Sequence, residues 1–369
     1  MDTDVAALTR AVLWAGFGLG AVFGAAAQAT RFCTMGAIAD LVSFGDATRL
    51  RLWVWAVLVA ALGTQALIAF GGIDLDEAVT TGRRLNPVAL ALGGTAFGVG
   101  MVLASGCPSR ALVRTAGGNL KALVVLLVVG LAAQMTLRGL FAAPRVEGLE
   151  PLAFTLAGAQ DLGAWLARAT GLAAGAARGA ICAVFALPLL WWLARGTEFR
   201  RAEPLLGGLA VGAVVVAAWW VTGAYGHLAE HPETLERAWL ATGSHRPEAL
   251  SFVAPTASLL DLLTLWSDTG TTLDFGAATL LGVLAGAFAM TLWRREFHWE
   301  GFGNPRDLAQ HLIGAVLMGV GGVTALGCSI GQGVSGLSLL SAGSFVAVAG
   351  IAAGAVAALR YQAWIIERG

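Results

Sequence analysis

Long apolar runs separated by short polar clusters account for most of the chain. Seven runs have the length that a helix needs to cross a bilayer, about 17–25 residues: 11–30, 52–72, 119–140, 171–195, 203–223, 275–293 and 344–362. Two more, 88–106 and 309–327, are apolar but unusually rich in glycine, and each ends directly before a cysteine. The pattern predicts an all-α, polytopic membrane protein with about nine spanning helices.

The two glycine-rich runs either span the membrane or enter it and turn back. Backbone that is not helical at membrane depth is tolerated only where it is buried in protein or lines a cavity. A glycine-rich run that stops at a cysteine therefore predicts short re-entrant helices around a pathway.

Composition agrees with a membrane protein. Hydrophobic residues make up 57% of the chain and charged residues 12%, about half the charged fraction of a soluble domain. The net charge is zero, so nothing favours binding to nucleic acid. The first apolar run follows an acidic start and a single Arg10, whereas a signal peptide begins with a basic segment. We therefore expect this run to be retained as a helix.

The distribution of arginine predicts the orientation in a bacterial inner membrane. Arginine pairs at 200–201 and 294–295 flank the segment 224–274, which carries two arginines and seven carboxylates. Because cytoplasmic loops are enriched in Lys and Arg, residues 224–274 are expected to form a periplasmic loop. Arg83 and Arg84 do not fit this orientation, because they would lie on the periplasmic side. The other basic residues expected in the cytoplasm are Arg49, Arg51, Arg110, Arg114 and Lys121.

An internal repeat organises the chain into one transmembrane transporter domain, 1–369. A shift of 221 positions, the separation of Cys107 and Cys328, lays residues 92–107 on 313–328 with eight identities. The predicted halves are approximately 11–140 and 171–362. Duplicated halves with interrupted segments in matching places are typical of secondary transporters, whose substrate path lies between the halves.

Three of the four cysteines follow predicted helix ends. Cys107 precedes Pro108, which favours a helix start, and Cys328 precedes a flexible glycine-rich stretch. Helix starts favour anions. Cys33 lies beside Arg31 after the first apolar run. A neutral thiol is polarizable and a weak hydrogen-bonding group, and a path needs sites weak enough to release their solute. This combination favours a solute that itself contains sulfur.

Other candidate sites are less specific. Cys182 lies within an apolar run, where free cysteine normally packs as a small hydrophobe. The sequence from His227 to His231 fits a His-x-x-Glu-His zinc pattern. A third ligand is not evident and Pro232 follows directly, so a solvated loop is the favoured interpretation. We predict no metal and no cofactor.

Three motifs resemble the signatures of the YeeE/YedE family of sulfur-compound transporters. They are Arg31-Phe-Cys-Thr-Met-Gly-Ala, Gly98-Val-Gly-Met-Val-Leu-Ala-Ser-Gly-Cys-Pro, and the glycine-rich segment 319–336 around Cys328. The resemblance implies import of thiosulfate through an hourglass of two pseudo-symmetric halves. It also implies that Cys33, Cys107 and Cys328 line a central constriction, and that a small cytoplasmic sulfur carrier of the TusA type is a partner.

The sequence thus predicts an inner-membrane permease for thiosulfate or a closely related sulfur anion, surrounded by membrane lipid, rather than an enzyme. The absence of a Gly-x-x-x-x-Gly-Lys-Ser/Thr motif gives no sign of ATP binding. The alternative is a membrane thiol enzyme that transfers sulfur through a covalent persulfide. The residues predicted to line the pathway are Cys33, Cys107, Cys328, Gly106, Gly327, Ser329, Gln332, Arg31 and Arg110.

Overall fold

A computed structural model describes residues 4–71, 73–196, 201–268 and 270–368, which form a bundle of α-helices. The helices are α1 (Val5–Thr30), α2 (Thr34–Phe44), α3 (Thr48–Ala69), α4 (Pro87–Leu103), α5 (Pro108–Ala116), α6 (Leu120–Leu137), α7 (Ala142–Pro144), α8 (Leu162–Thr170), α9 (Ala174–Ala194), α10 (Ala202–Trp220), α11 (Ala254–Thr264), α12 (Phe275–Arg294), α13 (Pro305–Thr324) and α14 (Ala342–Arg368). A wide helical turn, Gly331–Gly336, lies between α13 and α14.

Two short antiparallel strand pairs lie outside the helices. Strand β1 (Arg84–Leu85) pairs with β2 (Phe154–Thr155), and β3 (His227–Leu228) pairs with β4 (Ala238–Trp239). Both pairs fasten connecting segments at the same end of the bundle, because Arg237 lies 3.6 Å from Glu77 across the two regions.

The start of several helices is fixed by a capping side chain. Asn86 accepts a hydrogen bond from the backbone N–H of Ala89, and Asn304 accepts one from that of Asp307. Each cap is followed by a proline at the first helical position, where the missing N–H has no intrahelical acceptor in any case. The two glycine-rich helices, α4 and α13, therefore begin with the same Asn-Pro device.

Helices α4 and α13 pack against each other through glycine. A Cβ added to Gly100 would lie 2.6 Å from the carbonyl oxygen of Gly314, and one added to Gly314 would lie 2.6 Å from that of Gly100. Gly93 and Gly321 contact each other in the same reciprocal way. Since the later residue of α4 meets the earlier residue of α13, the helices are antiparallel and are related by a local two-fold axis across their contact. Small residues permit this close backbone approach.

The outer pairs use the same packing in a parallel sense. Gly20 and Gly24 of α1 abut the backbone of α12, and Gly282 and Gly286 of α12 abut the backbone of α1. Helix α14 packs on α4 in a similar way, with Gly98 against the carbonyl of Ile351. The centre of the bundle is thus α4 and α13, flanked by α14 and α6.

The prediction of an all-α polytopic membrane protein is confirmed. Within the described ranges, eight helical segments are long and apolar enough to cross a membrane, where about nine were predicted. The difference is α13, whose first turns carry Arg306, Asp307 and His311. The extent of the repeat halves stays a prediction.

Candidate functional site

Helices α4 and α13 end in the same backbone motif directly before a cysteine. In α4, Ser105 takes a left-handed φ of 57° and the N–H of Gly106 donates to the carbonyl of Met101 at 2.8 Å. In α13, Leu326 has a φ of 55° and the N–H of Gly327 donates to Gly322 at 2.8 Å. This Schellman arrangement satisfies the last carbonyls of each helix and turns the chain so that the cysteine is the next residue. We call these segments the Cys107 turn (101–110) and the Cys328 turn (322–332).

The first helix ends in a related way. Arg31 has a φ of 53°, and the N–H of Phe32 donates to the carbonyl of Ala27 at 3.1 Å, directly before Cys33. All three predicted pathway cysteines therefore follow a helix that has been stopped by a left-handed residue two positions earlier. This is the third such segment, the Cys33 turn (27–36).

Each thiol then lies at the beginning of a new helical turn. The sulfur of Cys33 accepts a hydrogen bond from the N–H of Gly36 at 3.3 Å, and that of Cys328 from the N–H of Gly331 at 3.4 Å. The sulfur of Cys107 lies 3.1 Å from the hydroxyl oxygen of Ser109. These positions are the N-terminal ends that favour partial negative charge.

Glycine precedes two of the thiols for steric reasons. Gly106 has a φ of +152°, which residues with a side chain rarely adopt. A Cβ on Gly327 would lie 3.1 Å from the Cγ of Gln332. The glycine before each cysteine therefore lets the chain reverse without pushing the following turn away.

Two cavities approach the cysteines from opposite ends of the α4–α13 pair. One, of about 660 Å³, contains Cys33 and four arginines: Arg31, Arg49, Arg110 and Arg114. We call this the basic end. The other, of about 810 Å³, opens beside the β1–β2 pair and reaches inward to Gln332 and Ser344. Arg83 and Arg84 line this second cavity, so they lie at the opposite end from the arginines around Cys33.

Three buried residues line neither cavity, and we call this group the constriction. Cys107, Cys328 and Ser329 are each 1% exposed, and none of them lines either cavity. Cys33 lies within electrostatic range of Cys107 and Arg110, and Cys328 within range of Cys107. The structure therefore brings all three predicted pathway cysteines to one region.

Arg31 and Arg110 differ in their surroundings. Arg31 is exposed at the end of α1. Arg110 lies on α5, three residues after Cys107, and its Nη1 atom is buried without a protein partner in the described chain. Arg110 is thus the cation closest in sequence to the constriction, and its guanidinium has free donors.

Gln332 closes the other side of the constriction. Its side-chain nitrogen donates to the carbonyl of Ala325 at 2.7 Å, and its oxygen accepts from the hydroxyl of Ser344 at 2.6 Å. The amide therefore ties the end of α13 to the start of α14.

A part of the 224–274 segment also reaches the Cys328 turn, which the sequence did not indicate. Leu250 and Phe252 are 1% and 0% exposed. The hydroxyl of Ser335 donates to the carbonyl of Leu250 at 2.9 Å, and a Cβ on Gly331 would lie 2.9 Å from the hydroxyl of Ser251. Sequence reasoning missed this contact because the apolar stretch is far shorter than a spanning helix.

The structure also places the remaining candidates. Cys182 is buried in α9, away from the two cavities. His227 lies in β3 with its ring against Trp239, and His231 accepts a hydrogen bond from the N–H of Glu233. Across the residues that the structure describes, no group of three or more His, Cys, Asp or Glu side chains is arranged to hold a metal ion.

The sequence was compared with known protein families. A family profile described as sulphur transport matches residues 29–357, which include Cys33, Cys107 and Cys328. The chain belongs to this sulphur transport family. Membership confirms the resemblance to the YeeE/YedE proteins and the prediction of a transporter rather than an enzyme.

Two relatives are similar over most of their length. One, named thiosulfate transporter TsuA, from Spirochaeta thermophila, is 27% identical over 91% of this chain and 94% of its own. A second protein of that name, from Escherichia coli strain K12, is 22% identical over 85% of this chain and 84% of its own. The likeness therefore extends across most of the chain.

Proposed function

We propose that this protein imports thiosulfate, or a closely related sulfur anion, through the constriction between its two cavities. The observation that carries the proposal is the pair of matching cysteine turns, which lie buried between two opposed cavities. Family membership and two relatives named as thiosulfate transporters support the choice of solute.

The basic end is proposed to face the cytoplasm of a bacterial cell. Arg31, Arg49, Arg110 and Arg114 line the cavity there, and cytoplasmic ends are enriched in arginine. The segment 224–274 then lies on the periplasmic side of the inner membrane. Import runs from the cavity beside Gln332, through the constriction, to the arginine-lined cavity.

In this path the solute is handed along three thiols without forming a covalent bond. The proposed order is Cys328, then Cys107, then Cys33, because Gln332 lines the outer cavity and Cys33 the inner one. A thiol donates and accepts only weak hydrogen bonds, so each contact holds the anion loosely enough to release it. Arg110 and Arg31 attract the anion toward the inner cavity through their positive charge.

Two partners are proposed, the first from the family resemblance and the second from the apolar exterior. A small cytoplasmic sulfur carrier of the TusA type is proposed to receive sulfur at the basic end, where the inner cavity opens. Membrane lipid is proposed to cover the apolar outer faces, which carry exposed side chains such as Trp14, Leu127 and Leu187.

Growth on thiosulfate as the sole sulfur source tests the proposal, in cells that lack other sulfur importers. Expression of the protein is expected to restore growth, and Cys33→Ala, Cys107→Ala and Cys328→Ala are each expected to reduce it strongly. Cys182→Ala is the matched control, since it removes a buried thiol that lines neither cavity. Undiminished growth of all three pathway variants, at equal protein levels, would show that the thiols are not the path.

The alternative, a thiol enzyme that takes sulfur covalently, gives a different pattern. It requires one nucleophilic cysteine as the single essential residue, and a trapped persulfide on that residue. Graded loss across three cysteines favours the permease.

A further inference from the structure

Several hydrogen-bond donors beside the cysteine turns have no partner. The hydroxyls of Thr34 and Ser329, which directly follow Cys33 and Cys328, are buried and unpaired within the described chain. Thr34 is 8% exposed and Ser329 is 1% exposed. The indole N–H of Trp53 is likewise buried and unpaired.

The position of the two hydroxyls explains why the fold leaves them unpaired. A threonine within a helix normally donates to the carbonyl one turn earlier, as Thr136 does to Ala132 at 2.7 Å. Thr34 is the first residue of α2, and Ser329 directly follows the break at Cys328. Neither has an earlier helical turn to donate to, so a partner has to come from elsewhere.

Trp53 reaches the same region from α3. The edge of its ring that adjoins the indole nitrogen packs on Gly333, where an added Cβ would lie 2.9 Å from the ring. The neighbouring Trp219 shows what a paired indole looks like, because its N–H donates to the hydroxyl of Ser338 at 3.1 Å. Trp219 thus has an acceptor just after the glycine-rich segment 319–336, whereas Trp53, which packs on that segment, has none in the described chain.

Unpaired buried donors are unfavourable, by about 1–3 kcal/mol each, and native structures contain few of them. Three of them beside the cysteine turns indicate that an acceptor arrives with the solute. A sulfur oxyanion supplies two kinds of surface: a soft sulfur atom, which suits a thiol, and several oxygens, which need N–H or O–H donors.

We propose that Thr34, Trp53 and Ser329 donate hydrogen bonds to the oxygens of the transported anion, while the cysteines contact its terminal sulfur. This inference rests on the proposed transport function and adds specificity-determining residues to it. Each thiol at the Cys33 and Cys328 turns is then paired with a hydroxyl one residue later. Such a two-part site favours an anion that carries both a sulfur end and an oxygen end.

Uptake kinetics of purified protein in liposomes test the inference, with radiolabelled thiosulfate as the probe. Thr34→Val, Trp53→Phe and Ser329→Ala are each expected to raise the KM for thiosulfate about tenfold, the effect of one lost hydrogen bond to a charged group. Thr34→Ser keeps the hydroxyl and is expected to retain a normal KM. Because these donors have no partner in the free protein, their removal is expected to leave the melting temperature unchanged or to raise it.

Matched controls come from α3 and α12. Thr64 of α3 and Thr291 of α12 also carry buried hydroxyls without a partner in the described chain, but they lie within helices and away from both cavities. Thr64→Val and Thr291→Val are expected to leave the KM unchanged.

The outcomes separate the two proposals. If the parent protein transports thiosulfate and the three donor variants keep its KM, the donor assignment is wrong and the transport function stands. A raised KM that appears only together with a lowered melting temperature also contradicts the assignment, since it indicates a structural role. If the parent protein takes up no thiosulfate, both proposals fail.

Discussion

The Cys107 turn and the Cys328 turn share a backbone and differ in what surrounds them. Each begins with a left-handed residue, continues with glycine and presents a buried thiol. The Cys107 turn then leads into α5 and brings Arg110 beside the basic cavity. The Cys328 turn leads into a wide helical turn in which the side-chain amide of Gln332 is hydrogen-bonded through both its nitrogen and its oxygen.

The same backbone arrangement, used twice, thus places two different sets of side chains around the thiols. On the cytoplasmic side, as we propose it, the thiol is next to a fixed positive charge that attracts the anion. On the other side the thiol is next to neutral groups that close the entrance. The outer cavity is lined by four arginines and four carboxylates, and the inner cavity by four arginines and two carboxylates. Only the inner lining therefore carries a net positive charge, which attracts an anion.

The largest effects on stability are expected at the contact between α4 and α13. Gly100→Val and Gly314→Val each place a side chain where 2.6 Å separates an added Cβ from the opposite backbone. Each is expected to destabilise the fold by more than about 4 kcal/mol, measured as loss of folded protein in detergent and a lower melting temperature. Gly18→Val is the control, because an added Cβ at Gly18 has no neighbour within 4 Å. If only one of the two substitutions destabilises the protein, the contact between α4 and α13 is not symmetric.

Next in size is the contrast between Gln332 and Arg110. Gln332→Leu leaves the carbonyl of Ala325 and the hydroxyl of Ser344 without their partner, so a loss of about 2 kcal/mol in stability is expected. Arg110→Gln removes a charge whose Nη1 is unpaired, and is expected to raise the KM for thiosulfate about tenfold with little change in stability. Thermal melting and uptake kinetics are measured for both variants. If each variant changes the melting temperature and the KM to the same extent as the other, the contrast between the two residues is wrong.

A smaller effect concerns pH and involves Glu248 in the segment 224–274. Glu248 lies two residues before Leu250, whose carbonyl accepts from Ser335. Burial, and then the charge of Asp274, raise the pKa of Glu248 to about 7. The folded state therefore keeps this proton at a pH where the unfolded chain, at the usual 4.5, has lost it.

The raised pKa of Glu248 makes the folded protein less stable as the pH rises. Stability from Glu248 is highest at acidic pH and falls as the pH rises toward 7, by about 1 kcal/mol between pH 6 and 7. Glu248→Gln is expected to flatten this dependence, measured by thermal melting across that range. An unchanged slope in the variant would place the pH sensitivity elsewhere.

How far the sequence predicted the molecule depends on which residues carry a local signal. Apolar length marked the helices, and Pro108 and the glycine-rich tail after Cys328 marked the two breaks. The left-handed residues Ser105 and Leu326 could not be predicted, because neither type favours that conformation.

Other parts of the candidate site depend on contacts between segments distant in sequence. The ring of Trp53 packs on Gly333, a contact that no local pattern in the sequence indicates. The role proposed for Thr34 could not be predicted from its place next to Cys33, because whether a hydroxyl lacks a hydrogen-bond partner depends on the folded chain. Leu250 and Phe252 lie in a segment whose overall composition is that of an exposed loop.

The most direct test of the central claim is uptake of thiosulfate labelled separately at its two sulfur atoms, by the protein in sealed liposomes. Transport of the intact anion predicts that both labels enter at the same rate, and that Cys107→Ala and Cys328→Ala lower both rates equally. Entry or retention on the protein of the terminal sulfur label alone would contradict a permease and establish sulfur transfer instead.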